Sequence, residues 1–195
     1  MVNDHILPPR GQRGTSLIEI LVTIVILAIG LLGLAGLQSR LQASEMEAYQ
    51  RAQALVLLDD MASRINANRA NAASYALAAP TAAPLGAGMT CPTSTSSQQE
   101  IDAGQWCQAL QGAAETSGGG KVGAMIGGRG CVEDLGGGEY LVTVAWQGLT
   151  PIAAPPNSPA CGTGSYVGPA GSVCTGDLCR RFITTVVRIG NLSSI

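Results

Sequence analysis

Apolar residues crowd one end of this chain. From Leu17 to Leu37 the run LIEILVTIVILAIGLLGLAGL carries a single charge, Glu19. At about 1.5 Å rise per residue such a helix spans roughly 30 Å, the hydrocarbon thickness of a bilayer. Ahead of it lies MVNDHILPPRGQRGTS, where Arg10 and Arg13 stand against Asp4. That basic flank predicts a cytoplasmic N-terminus, with everything after Leu37 across the membrane. From Gln38 the pattern turns amphipathic. Ala48, Ala52, Leu55, Leu58, Ala62 and Ile65 recur at helical spacing. Glu47 with Arg51, and Asp60 with Arg64, form i, i+4 pairs in the favourable order, each worth about 0.2–0.5 kcal/mol. No Gly or Pro interrupts residues 37–79. One helix is therefore predicted from about Ser16 to about Ala70, roughly 80 Å long. No single small domain buries a helix of that length. Its first half belongs in lipid or among other helices, and its second half packs a sheet on the apolar stripe.

After Pro80 the pattern shortens and the composition shifts to Pro, Gly, Ser and Thr. Ser97-Gln98-Gln99-Glu100 has the form of a capping box and predicts a short helix through Ile101, Trp106 and Leu110. Gly118-Gly119-Gly120 and Gly136-Gly137-Gly138 mark loops, with strand signals between and after them. Glu139 to Gln147 alternates, placing Tyr140, Val142, Val144 and Trp146 on one face of a strand. Arg181 to Ile189, rich in Ile, Thr and Val, predicts the C-terminal strand. Residues 150–180, with Pro151, Pro155, Pro156, Pro159 and Pro169 among several glycines, predict an irregular loop. The fold class expected is α+β, a long N-terminal helix on a small antiparallel sheet. The expected division is 15–37 transmembrane helix, 38–79 amphipathic continuation and 80–195 globular head, with the assignment of 1–14 as a leader resting on the resemblance given below.

Composition narrows the function. Charged residues make up 12% of the 195-residue chain and the formal net charge is −2, so no basic patch points to nucleic acid. The one histidine, His5, lies in a Pro- and Arg-bearing tail, a poor place for the general base of a Ser-His or Cys-His hydrolase. No close Cys-x-x-Cys pair suggests zinc, and no phosphate-binding loop is present. No catalytic residue, metal or cofactor is expected. The six cysteines Cys91, Cys107, Cys131, Cys161, Cys174 and Cys179 follow the apolar run. An even number beyond a membrane segment implies disulfides in an oxidising compartment, and six cysteines allow fifteen pairings. Cys161, Cys174 and Cys179 crowd the irregular loop, so at least one bridge is expected to close it. Cys91 and Cys107 flank the short helix and are candidates to pair.

The processing of the apolar run carries the functional signal. A secretory signal would be cut at Ala28-Ile29-Gly30, yet Glu19 interrupts its core and the run continues past that site. A plain uncut anchor leaves Glu19 unexplained, since a carboxylate in lipid costs about 2.5–3.5 kcal/mol on insertion scales. The segment Arg13-Gly14-Thr15-Ser16-Leu17-Ile18-Glu19 resembles the prepilin leader of type IV pilins and type II secretion pseudopilins. That resemblance implies cleavage after Gly14 by a prepilin peptidase, N-methylation of Thr15 and a docking role for Glu19, fifth in the mature chain. Thr15 departs from the Phe usual at the new N-terminus. Cleavage there leaves an α-amino group on Thr15, mostly cationic at neutral pH, as the nearest partner for Glu19 in its own or a neighbouring subunit. Gly30, Gly33 and Gly36 read equally well as a close helix-packing face or as a weak point that extends during assembly.

Three distal segments resemble PilV-type minor pilins: Trp106-Cys107-Gln108-Ala109-Leu110-Gln111-Gly112, Gly130-Cys131-Val132, and Tyr140 through Gly148. This narrower resemblance implies a type IV pilin-like fold and a low-abundance pilin. Such a subunit joins other minor pilins in a complex that primes pilus assembly and sits at the tip. Its implied partners are the prepilin peptidase, other minor pilins, the major pilin, a large tip adhesin and the inner membrane. The implied location is a single pass of the bacterial inner membrane with a periplasmic head, then the pilus tip. Two rival readings are a minor pseudopilin of type II secretion and a tip adhesin with its own ligand site.

Overall fold

A computed structural model describes residues 16–77, 83–113, 116–118, 120–121, 125–153, 155–156 and 158–190. By its contacts the chain divides into two units, Met1–Ala43 and Ser44–Ile195. The first helix, α1, runs Leu17–Ala67 and belongs to both. In the first unit every described residue from Ser16 to Gln42 is exposed.

Within the second unit α1 buries Gln50, Ala54, Leu58, Met61 and Ile65, one face of a helix at spacings of three and four. Leu58 and Ile65 of the expected stripe are on that face, and Ala62 is half-buried beside it. Ala48, Ala52 and Leu55 are exposed, so the upper half of the buried stripe is rotated from its expected position. Gln50 takes a place on that face: its Oε1 accepts from the Ile126 N–H at 3.3 Å, while its buried Nε2 has no hydrogen-bond partner among the described residues. A 3-10 segment, Arg69–Tyr75, follows α1 and buries Ala72 and Tyr75.

The sheet is four-stranded and antiparallel. Its members are β1 (Leu85–Gly86), β4 (Arg129–Gly136), β5 (Glu139–Gln147) and β6 (Arg180–Arg188), in the order β1-β4-β5-β6. A separate two-stranded ribbon pairs β2 (Thr116–Ser117) with β3 (Gly120–Lys121). Strand β5 falls where alternation predicts it, and β6, expected from its Ile, Thr and Val, starts and ends one residue early. Strand β4 lies between the two glycine runs, where strand signals are read without bounds, whereas the two-residue β1 is not expected. The Gly136–Gly138 segment expected as a loop is the tight turn joining β4 to β5, with all three φ angles positive. Such backbone is open to Gly and strained for other residues.

Helix α2, Gln98–Leu110, starts on the predicted capping box: Ser97 Oγ accepts from the Glu100 N–H, and Glu100 accepts from the Ser97 N–H. Trp106 of α2 is fully buried and its indole N–H donates to the Leu57 carbonyl at 2.8 Å. A Cβ on Gly130 of β4 would stand 2.2 Å from that indole ring, so only Gly lets the strand lie beneath it. One aromatic side chain thus joins α1, α2 and β4. The core gathers Leu58, Met61, Ile65, Val132, Val142, Val144 and Trp146 around it.

Candidate assembly surfaces

The first unit is an apolar helix with no cover of its own. Leu17 is 87% exposed and Leu32 73%. The helix is long and apolar enough to cross a membrane, with a mean hydropathy of 2.8 over its best window. A helix that is apolar all round needs lipid or other helices about it. Glu19 lies in its first turn with an exposed side chain, and no described residue forms an ion pair with it. Gly14 and Thr15, the expected cleavage and methylation positions, lie outside the described residues, as does His5. Beyond the adjoining backbone of its own helix, a Cβ on Gly30, Gly33 or Gly36 would meet no atom of the described residues within 4 Å. Within the first unit, packing among the described residues therefore does not explain those glycines.

The second unit is held by polar contacts that join distant segments. Arg64 Nε donates to both carboxylate oxygens of Asp60 at 3.0 Å, the expected i, i+4 pair. Its Nη1 also donates to Asp102 Oδ1 at 2.9 Å and to Gln105 Oε1 at 2.7 Å, both on α2. Asp102 is 4% exposed and accepts from the Tyr75 hydroxyl and from Gln98. Burial, and then the hydrogen bond to Asp102, raise the Tyr75 hydroxyl pKa above its ordinary value. Glu47 turns away from its expected partner Arg51. It accepts from the Leu149 N–H at 3.1 Å and stands 3.8 Å from Arg181.

All six cysteines are paired, as Cys91–Cys107, Cys131–Cys161 and Cys174–Cys179. The first staples the segment before α2 to that helix, and the third closes a short turn inside the irregular loop. The second ties that loop to β4, across the sheet face that α1 leaves free. Consequently Thr143 and Ala145 are fully buried on the second face of β5, although alternation predicts only one buried face. Arg180 is 2% exposed and anchors the same loop through the carbonyls of Pro156, Pro159 and Cys161. Its Nε lies 3.5 Å from Asp177 Oδ2. Tyr166, donating to the Gly127 carbonyl at 2.9 Å, has its hydroxyl pushed up to about 12 by burial.

Two surfaces of this unit lie open. Met46, Tyr49, Leu55 and Val56 expose apolar side chains along α1, Val56 at 65%. Beside them a cleft of about 440 Å³ runs between α1 and the start of β6, lined by Glu47, Arg51, Trp146, Arg181, Phe182 and Ile183 among others. No cluster of three or more His, Cys, Asp or Glu suited to a metal occurs among the described residues. Neither Arg180 nor Asp102 was singled out in the sequence. The one available signal for Asp102 was a carboxylate on the buried side of a short helix.

The prokaryotic N-terminal methylation motif matches residues 9–35. No curated protein and no solved structure matches the chain. The matched segment brackets Gly14, Thr15 and Glu19 and takes in most of the exposed apolar run. Together with that helix it fits membrane anchoring, and it implies processing by a prepilin peptidase and association with pilus components. The leader motif at residues 9–35, followed by an apolar helix that continues onto an antiparallel sheet, supports a protein of the type IV pilin family, pilin or pseudopilin.

Proposed function

We propose that this chain is a PilV-type minor pilin of the type IV pilus. In this reading it joins other minor pilins in the complex that primes pilus assembly and sits at the tip, where a large tip adhesin and the major pilin are further partners. It performs no chemistry of its own. The observation that carries the reading is the leader motif, with Glu19 exposed in an apolar helix that no part of its own unit covers. Cleavage after Gly14 leaves that helix in the protein as an anchor, N-terminus cytoplasmic and head periplasmic. Thr15, N-methylated, then supplies a cation for the Glu19 carboxylate of a neighbouring subunit. Pairing between chains offsets the cost of a carboxylate in lipid and selects one axial stagger. The Trp106, Gly130 and Tyr140–Gly148 segments support the minor-pilin assignment by their resemblance. The second unit supplies the surface for side contacts.

A deletion strain tests the reading when surface pili and protein secretion are counted separately. Loss of pili with normal secretion is the expected outcome. Loss of secretion with normal pili makes the chain a type II pseudopilin. Pili that are normal in number but no longer adhere make it a tip adhesin.

A further inference from the structure

The sheet has one guarded edge and one open edge. On the guarded side β1 pairs with Arg129 and Gly130 of β4, and the Leu77 N–H donates to the Val132 carbonyl at 2.8 Å. On the other side β6 runs its full length against β5 without a register shift and has no described neighbour beyond it. Which backbone groups face outward follows from the ends of the pairing. Ile189 N–H donates to the Gly138 carbonyl and Gly148 N–H to the Cys179 carbonyl. Odd-numbered β6 residues are therefore the ones hydrogen-bonded to β5, because such pairs alternate along an antiparallel ladder. The N–H and C=O groups of Phe182, Thr184 and Val186 point away from the sheet. Thr184 is exposed and Val186 is 42% exposed. The devices that usually blunt an edge (Pro, Lys, a bulge or a short strand) are missing from these positions.

We propose that β6 receives an extended, acidic segment of a different protein as an added strand, with a carboxylate entering the adjoining cleft. Main-chain hydrogen bonds to the edge supply affinity in this mode, and side-chain pockets supply selectivity. The cleft between α1 and β6 opens beside Phe182 and Ile183 and holds Arg51 and Arg181 against one carboxylate, Glu47. Glu47 lies 3.8 Å from Arg181, whereas Arg51 is exposed on α1 with no described partner. An incoming carboxylate completes that set. A second copy of this chain is the wrong occupant. Two-fold antiparallel pairing of β6 with itself over its full length sets Arg188 of each copy beside Arg180 and Arg181 of the other, and like charges facing across strands are destabilising. The inference stands on the second unit alone and holds for a pilin and a pseudopilin alike.

The test uses full-length protein in its own membrane, with a photo-crosslinking amino acid in place of Val186. Cross-linked peptides are sequenced by mass spectrometry. Thr184→Pro removes an outward N–H without touching a bond to β5, a position where Pro is tolerated on an edge strand. Arg51→Glu reverses the cleft's open charge. The expected result is a cross-link to one segment of another protein, carrying Asp or Glu, whose yield falls about tenfold with either substitution. A cross-link only to a second copy of this chain, cross-links scattered over many sequences, no cross-link, or a yield that neither substitution changes would overturn the proposal. Intact disulfides and unchanged protease resistance establish that the Thr184→Pro protein is folded. Should it misfold, Arg51→Glu at its exposed helix position decides the matter alone.

Discussion

Glu19 and Asp102 are both carboxylates, and their surroundings give them opposite work. Asp102 is buried with its partners in its own chain, and it holds α2 to α1. Replacing it with Ala leaves the Tyr75 hydroxyl buried without its acceptor and Arg64 with Asp60 and Gln105 only. A loss of about 1–3 kcal/mol is expected, read from thermal or denaturant unfolding of the detergent-solubilised chain. Glu19 is exposed in an apolar helix and has no described partner in its own chain. Glu19→Ala is expected to spare membrane insertion and leader cleavage and to reduce co-purification of partner pilins and the number of surface pili. Unchanged co-purification and unchanged piliation would remove Glu19 from assembly. Glu133 offers a third case. Burial without a partner for its Oε1 raises its pKa above the ordinary carboxylate value. A raised folded-state pKa favours the fold below the unfolded value and costs stability as pH rises through the folded value. Glu133→Gln is thus expected to stabilise the chain at neutral pH, with the gain vanishing below about pH 4. A gain that is equal at both pH values would show that ionisation is not its cause.

Among the elements, the disulfides give the clearest stability expectation. The Cys131–Cys161 bridge and the buried Arg180 both hold a Pro- and Gly-rich loop over the second face of β5, where regular hydrogen bonding is sparse. Replacing Cys131 and Cys161 together with Ser is expected to cost about 2–5 kcal/mol and to speed proteolysis within residues 150–179. Proteolysis at the wild-type rate would mean that Arg180 and packing suffice. The elements with local causes were legible in the sequence. Helix α2 announces itself by the Ser97–Glu100 capping box, and β5 by the alternation of Tyr140, Val142, Val144 and Trp146. What escaped depends on partners far along the chain. Arg64 meets Asp102 across 38 residues, and nothing near either residue encodes that meeting. Ala48 and Ala52 carry little preference for burial, so they could not fix the rotation of α1, and the burial of Gln50, with Ile126 donating to its Oε1, is a contact from 76 residues away. Strand β4 showed only as a strand signal between two glycine runs, without bounds, because Gly130, required beneath Trp106, reads locally as a strand breaker. Gly14 and Thr15, the proposed cleavage and methylation positions, were legible as a motif within residues 9–35 and lie outside the described residues.

At the scale of the whole molecule, one continuous helix serves two solvents. From Leu17 to Leu37 its side chains are apolar on every side apart from Glu19 and Thr23, and from Gln50 to Ile65 one stripe alone enters a core. Such a chain is stable only with lipid or other helices around its first part, and the proposed pilin would exchange the one for the other on entering a filament. That account depends on the apolar run remaining in the mature protein behind a new N-terminus. The most direct measurement is mass spectrometry of the protein extracted from its native membrane. The account predicts a mature chain beginning at Thr15, with a methylated α-amino group and Glu19 intact at its fifth position. An N-terminus still at Met1, or one beyond Gly30 as secretory cleavage would leave, would contradict it.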